Sequence, residues 1–242
     1  VTSVTILNTP PNIDSVEITP SPTNSQNTLS CVVDQYSDLN NDTVSFSYEW
    51  FVNGQPRGHY AAQLPGPFPV NAQMLCTVTP FDGTDFGPSV SASVDIDNTL
   101  PSVQSIVVYP LVAYTDDLLT ADVVFADIDV EHQPTGLYEW HVIDANGSDT
   151  IVQTGISATT LAGELYFARD EQVYVVVTPS DGLENGIAVT STILSVANSV
   201  PSEPSISLTH TGMTNNPLAG QDDLLCSVDT PSTDLDGDAI LY

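Results

Sequence analysis

Short runs in which every second side chain is apolar recur along the whole chain. "SVEIT" (15–19), "TLSCVVD" (28–34), "VSFSYEWFV" (44–52), "LCTVTP" (75–80) and "VSASVDI" (90–96) have the period of a strand with one buried face. Clusters of Pro, Gly, Asn and Asp separate them, as turns require. No stretch keeps a 3.6-residue period. "TTLAGELYFARDEQ" (159–172) comes nearest, but Gly163 interrupts it, and a loop with one helical turn is predicted there. About seven short strands in about 95 residues predict an all-β chain of two-layer sandwiches.

The strand pattern repeats. "NTPPNIDSVEITP" (8–20), "NTLPSVQSIVVYP" (98–110) and "NSVPSEPSISLTH" (198–210) align without gaps. "YEWFVNG" (48–54) matches "YEWHVID" (138–144), and "CTVTPFDGTDFG" (76–87) matches "VVVTPSDGLENG" (175–186). The repeats are expected at 8–97 and 98–197, with 198–242 the first half of a third and 1–7 the last strand of a preceding one. A tandem array of this kind predicts an extended rod and reads as a window on a longer chain. The alternative is that another copy completes the half-repeat by strand complementation, as in a filament.

Apolar residues make up 41% of the 242, enough for packed cores. Charge changes the picture more. Thirty-one acids stand against two arginines, Arg57 and Arg169, and no lysine, for a net charge of −29. Such a field repels nucleic acid and anionic membrane surfaces and attracts cations or basic partners. No run of 18 apolar residues is present, so no membrane span is expected. "VTSVTILNTPP" lacks the basic and apolar regions of a signal peptide; in a secreted protein it would be a mature fragment. The four histidines are scattered without zinc-ligand spacing, and no nucleophile elbow or glycine-rich phosphate loop occurs. A non-enzymatic protein is predicted.

The loop after the second strand of each repeat carries spaced acids. They are Asp38, Asn40 and Asp42; Asp127, Asp129 and Glu131; and Asp234, Asp236 and Asp238. Alternating oxygens can converge when a loop curls, and Ca²⁺ takes about six to eight of them. Asp, Asn and Gly also make good turns, but a turn needs only one carboxylate and three repel one another. Calcium is the expected ligand.

Cys31, Trp50 and Cys76 fall on the second, third and penultimate strands of the first repeat. This order resembles the immunoglobulin core, in which a disulfide pins two sheets against a buried tryptophan. The resemblance implies a Cys31–Cys76 bond and an oxidising, extracellular or cell-surface location. The second repeat replaces both cysteines, by Ala121 and Val175, and keeps Trp140. Cys226 matches Cys31; its partner is expected beyond residue 242 or in another molecule. The linker "DIDNTLP" (95–101) resembles that of cadherins, which implies calcium at Asp95, Asp97 and Asn98 together with Asp127 and Asp129. Asp181, in "SDGLENG", joins this expected set, although Asp-Gly also suits a tight hairpin. Over its whole length the chain resembles the tandem immunoglobulin-like, cadherin-like or PKD-like modules of large prokaryotic surface proteins. That resemblance implies a calcium-stiffened stalk or filament whose partners are further repeats or other copies. The rival implications are an adhesin gripping a glycan or protein through its loops, with Tyr60 and Phe68 in "GHYAAQLPGPFPV" (58–70) as its aromatic candidates, or accessory domains of a secreted enzyme.

Overall fold

The computed structural model describes residues 3–4, 7–129, 131–212 and 215–242. They group into two compact units. The first comprises Val1–Pro101, Ala126–Pro134 and Asp181–Asn185; the second comprises Ser102–Phe125, Thr135–Ser180 and Gly186–Tyr242. Two loops of the second repeat thus group with the first.

The first unit contains β1 (Asn12–Thr19), β2 (Leu29–Ser37), β3 (Ser45–Val52), β4 (Gln55–Pro56), β5 (Gln63–Leu64), β6 (Gln73–Phe81) and β7 (Val90–Asp95). They form two antiparallel sheets, β1-β2-β5 and β4-β3-β6-β7. Alternation decides which side chains face inward. Along β6, Met74, Cys76 and Val78 are buried while Leu75, Thr77 and Thr79 between them are not. Both sheets contribute to one core: Ile18, Leu29 and Cys31 from one, Trp50, Met74, Cys76 and Val78 from the other. Cys31 and Cys76 are disulfide-bonded across it. Trp50 is fully buried, and its Nε1–H donates to Ala61 O (2.9 Å), so the indole has no unpaired polar atom. Asn53 and Gly54 have positive φ (48° and 74°), which suits the tight turn between β3 and β4.

The second unit runs through β8 (Ser102–Tyr109), β9 (Ala113–Tyr114), β10 (Leu118–Ala126), β11 (Thr135–Ile143), β12 (Asp149–Gly155), β13 (Thr160–Ala162), α1 (Gly163–Tyr166), β14 (Gln172–Ser180), β15 (Val189–Thr190), β16 (Leu194–Ala197), β17 (Ser205–His210) and β18 (Leu224–Thr230). Its sheets are β13-β10-β8 and β12-β11-β14-β16-β9, with β15 on β14, and the β16–β9 pair is parallel. This is the first unit's arrangement again: an immunoglobulin-like sandwich with Trp140 fully buried and its Nε1–H on Ala158 O (2.7 Å). Ala121 and Val175 fill the places of the two cysteines. The single turn predicted in 159–172 is α1. Its Gly163 is required by close approach, since a Cβ there would sit 2.3 Å from Thr115 O.

Strands β17 and β18 form a separate two-stranded sheet. Leu208 and Leu224 are exposed there, whereas their counterparts Ile18 and Leu29 are buried under a second sheet. Cys226 is free and exposed. Among the described residues no helix is long and apolar enough to cross a membrane.

The acidic linker loops as a candidate functional site

Three loops carry the expected acid triplets: one between β2 and β3, one between β10 and β11, and one after β18. The first acid of each closes the loop on itself. Asp38 Oδ1 accepts from the N–H groups of Asn40 and Asp42 (both 2.9 Å). Asp127 Oδ1 accepts from Asp129 N–H (2.8 Å), and Asp234 Oδ1 from Asp236 N–H (2.9 Å) and Asp238 N–H (3.1 Å). These are the side-chain turns that Asp forms readily.

The middle member instead holds the linker that leads into its own repeat. Thr9 N–H donates to Asn40 Oδ1 (2.8 Å), Thr99 N–H to Asp129 Oδ2 (2.6 Å), and Ser199 N–H to Asp236 Oδ2 (2.5 Å). Asp129 is 0% exposed, which a carboxylate tolerates only when fully bonded. Its Oδ1 accepts from Ser25 Oγ (2.5 Å), and in the second unit Asp236 Oδ1 likewise accepts from Thr115 Oγ1. Ser25 and Thr115 occupy the same place, 90 positions apart, in the loops after β1 and β9.

The linker asparagines add a second tie. Asn8 Nδ2 donates to Asp82 Oδ2 (2.8 Å) and Asp85 Oδ2 (2.9 Å), and Asn98 Nδ2 to Asp181 Oδ2 (2.9 Å) and Glu184 Oε2 (3.1 Å). Asp82 and Asp181 are buried and begin tight turns, their Oδ1 atoms taking two N–H groups each. Asp181 is therefore part of the site, as a turn former bonded to Asn98. Asp95 and Asp97 keep exposed side chains.

Among the described residues no group of three His, Cys, Asp or Glu side chains is gathered to hold a metal. Oxygens of mixed kind remain. Asp38 Oδ2, Asp127 Oδ2, Asp234 Oδ2 and Asn98 Oδ1 are buried without a hydrogen-bond partner. A polar atom left this way costs about 1–3 kcal/mol, and a hard cation takes this type of donor. The residues therefore fit Ca²⁺ only through a set that includes amide oxygen and water.

Hydrogen bonding holds three of these carboxyls below the usual carboxylate range. For Asp82 the main cause is the Asp85 N–H, followed by Asn8. Burial pushes Asp181 up, but donors on Glu184, Asn98 and Leu183 outweigh it. For Asp236 the Thr115 hydroxyl and the Ser199 N–H dominate. A folded-state value below the unfolded one stabilises fully above the unfolded pKa, 3.8, and the contribution disappears as pH falls through the folded value. Thermal midpoints should therefore drop as pH falls below 3.8, and less steeply for Asp181→Asn. Parallel curves for wild type and variant would remove Asp181 from this account.

Two clusters bring in residues outside the expected set. Arg169 Nη1 donates to Asp238 Oδ2 (2.6 Å) and Asn198 Oδ1 (2.5 Å). On the second unit's sheet, His141 stacks on Tyr174 with ring centres 4.5 Å apart, and Asp149 bonds both. That bond, with burial behind it, pushes the Tyr174 hydroxyl up to about 12. The cross-strand pairing of His141 with Tyr174 is the signal that would have found this cluster. Of the aromatic pair expected to form a gripping surface, Tyr60 is exposed but Phe68 is in the core.

No protein-family model matches the chain, and no curated protein matches it. Among solved structures it is similar to a two-domain fibronectin type-III segment of chicken tenascin, at 11% identity over 76% of this chain and 99% of that one, TM-score 0.39. It is also similar to the three N-terminal domains of the highly immunogenic outer capsid protein Hoc of bacteriophage RB49, at 17% identity over 76% and 69%, TM-score 0.33. A third likeness is to the FN1–FN3 domains of chicken CNTN1, at 11% identity over 78% and 67%, TM-score 0.28.

Proposed function

We propose that the chain is a segment of an extracellular structural protein, in which tandem sandwiches form a stalk or filament at a cell surface. The observation that carries this reading is the repeated bonding of linker to loop. Three times a linker N–H is held by the middle residue of an acidic loop, and twice that residue also takes a hydroxyl from the loop after β1 or β9. Linkers without such ties would hinge freely; an array that must resist bending needs them held. The Cys31–Cys76 bond fits an oxidising compartment.

Calcium at these linkers is a second reading, favoured by the four buried oxygens that lack partners. A bound ion would supply the partner that these oxygens lack. Asp127, Asp129, Glu131 and Asn98 would hold it at the 95–101 linker, and Asp234, Asp236 and Asp238 belong to the loop at the next.

Small-angle scattering and thermal melts of the full chain, in Ca²⁺, in Mg²⁺ and in chelator, test both readings. The stalk reading expects one narrow distribution of end-to-end distances in every buffer; a broad one overturns it. The calcium reading expects a Ca²⁺-specific rise in the melting midpoint, because an ion that binds only the folded state stabilises it by mass action. Identical midpoints in all three buffers overturn that reading alone.

A further inference from the structure

The hairpin between β11 and β12 is longer than the fold requires. In the first unit the matching strands, β3 and β4, are joined by two residues, Asn53 and Gly54. In the second unit the turn takes five, "DANGS" (144–148). The added length carries Asn146, Gly147 and Ser148. This is an Asn-x-Ser sequon without proline, the acceptor sequence for N-linked glycans.

All three residues are exposed. The hydrogen bonds of the loop run within it. Asp144 Oδ1 accepts from Asn146 N–H (2.8 Å) and Ser148 N–H (2.9 Å), Asp144 N–H donates to Ser148 O (3.0 Å), and Gly147 N–H donates to Asp144 O (2.9 Å). Asn146 Nδ2 makes one long contact, 3.5 Å to Asp144 Oδ2. Gly147 turns the backbone with φ 82° into open space. A loop tied only to itself enters another protein's cleft without opening a sheet.

The other sequon, Asn41-Asp42-Thr43, is built differently. Its Asn41 is exposed too, but the residue before it, Asn40, holds Thr9 N–H of the linker (2.8 Å), and Asp42 N–H is bonded to Asp38 (2.9 Å). Drawing Asn41 into a cleft breaks the tie to the linker. A carboxylate also stands in its middle position, where Asn146 is followed by glycine.

We propose that Asn146 is an N-glycosylation site, the acceptor for a glycan carried on a polyprenyl diphosphate. The amide nitrogen attacks the anomeric carbon of the first sugar. A C–N bond forms, the bond from that carbon to the diphosphate oxygen breaks, the diphosphate leaves with the electron pair, and the amide gives up one proton. The glycan stands on the hairpin tip as a bulky, hydrated group outside the second sandwich. This rests on the extracellular reading above, since such transfer takes place on the export side of a membrane.

Incubating the purified, folded full chain with an oligosaccharyltransferase and a polyprenyl-diphosphate-linked glycan tests the assignment. Intact mass should show one glycan per chain, and an N-glycosidase that leaves aspartate behind should place it at residue 146. Asn146→Gln and Ser148→Ala should each lose the product, while Asn41→Gln should be modified as wild type is. All three substitutions fall at exposed loop positions, and an unchanged melting midpoint verifies that each variant folds. The proposal is overturned if folded wild type gains no glycan, if the glycan falls on Asn41, or if Asn146→Gln is still modified. The extracellular reading fails separately, if fractionation of the cells that make the chain finds it inside and not at the surface.

Discussion

Replacing Cys31 by Ala and Cys76 by Val lowers the stability of the first sandwich by about 4 kcal/mol. The bond closes a loop with a sequence separation of 45, and releasing that constraint gives the unfolded chain back its closure entropy. The substitutes are those the second repeat carries, Ala121 and Val175, both buried in a core of the same design. Packing loss is therefore kept small and the crosslink itself is measured. Urea unfolding of wild type and the double variant, followed by Trp50 fluorescence, reads the difference. A loss below about 1 kcal/mol would mean that the unfolded chain is already confined without the bond.

Trp140→Ala costs the second sandwich about 4 kcal/mol. The side chain is fully buried among Leu119, Leu161, Val173, Val175 and Val177, and no disulfide backs it up. Truncation leaves a cavity and strands the Ala158 carbonyl, which now accepts the indole N–H at 2.7 Å. Trp140→Phe separates the two effects. It keeps most of the apolar volume, loses the donor, and should cost about 1–3 kcal/mol through the unpaired carbonyl. Chemical denaturation of both variants decides the matter. Equal losses for Ala and Phe would place the whole effect in the hydrogen bond, against the packing account.

Much of the fold is legible in the sequence because strand alternation and turn chemistry are local. The run "QMLCTVTPF" shows its buried face by alternation alone, and it is β6. The paired loss of cysteines at 121 and 175 agrees with the Cys31–Cys76 bond observed in the other repeat. The acidic loops are legible as a pattern but not as a network. Spacing shows that Asp127 and Asp129 share a loop. It does not show that Asp129 turns inward to Ser25, a partner 104 residues away. Phe68 reads as part of an exposed aromatic pair because its neighbours are prolines and glycine, yet the chain folds it into the core. Arg169 is, in the sequence, only one of two positive charges. Its meaning depends on Asn198 and Asp238, which its own neighbourhood does not reveal.

The repeat, the all-β class, the inward faces of the strands and the location of the charge all follow from the order of residues. The strand faces rest on a period of two residues, which any one segment displays without its neighbours, and the repeat on a period of about 95, which aligning the segments displays without any folding. Packing in three dimensions settles which oxygens hold a linker and which are buried without a partner. Those outcomes depend on donors 30 to 121 positions away in the chain, and folding alone brings them within hydrogen-bonding distance.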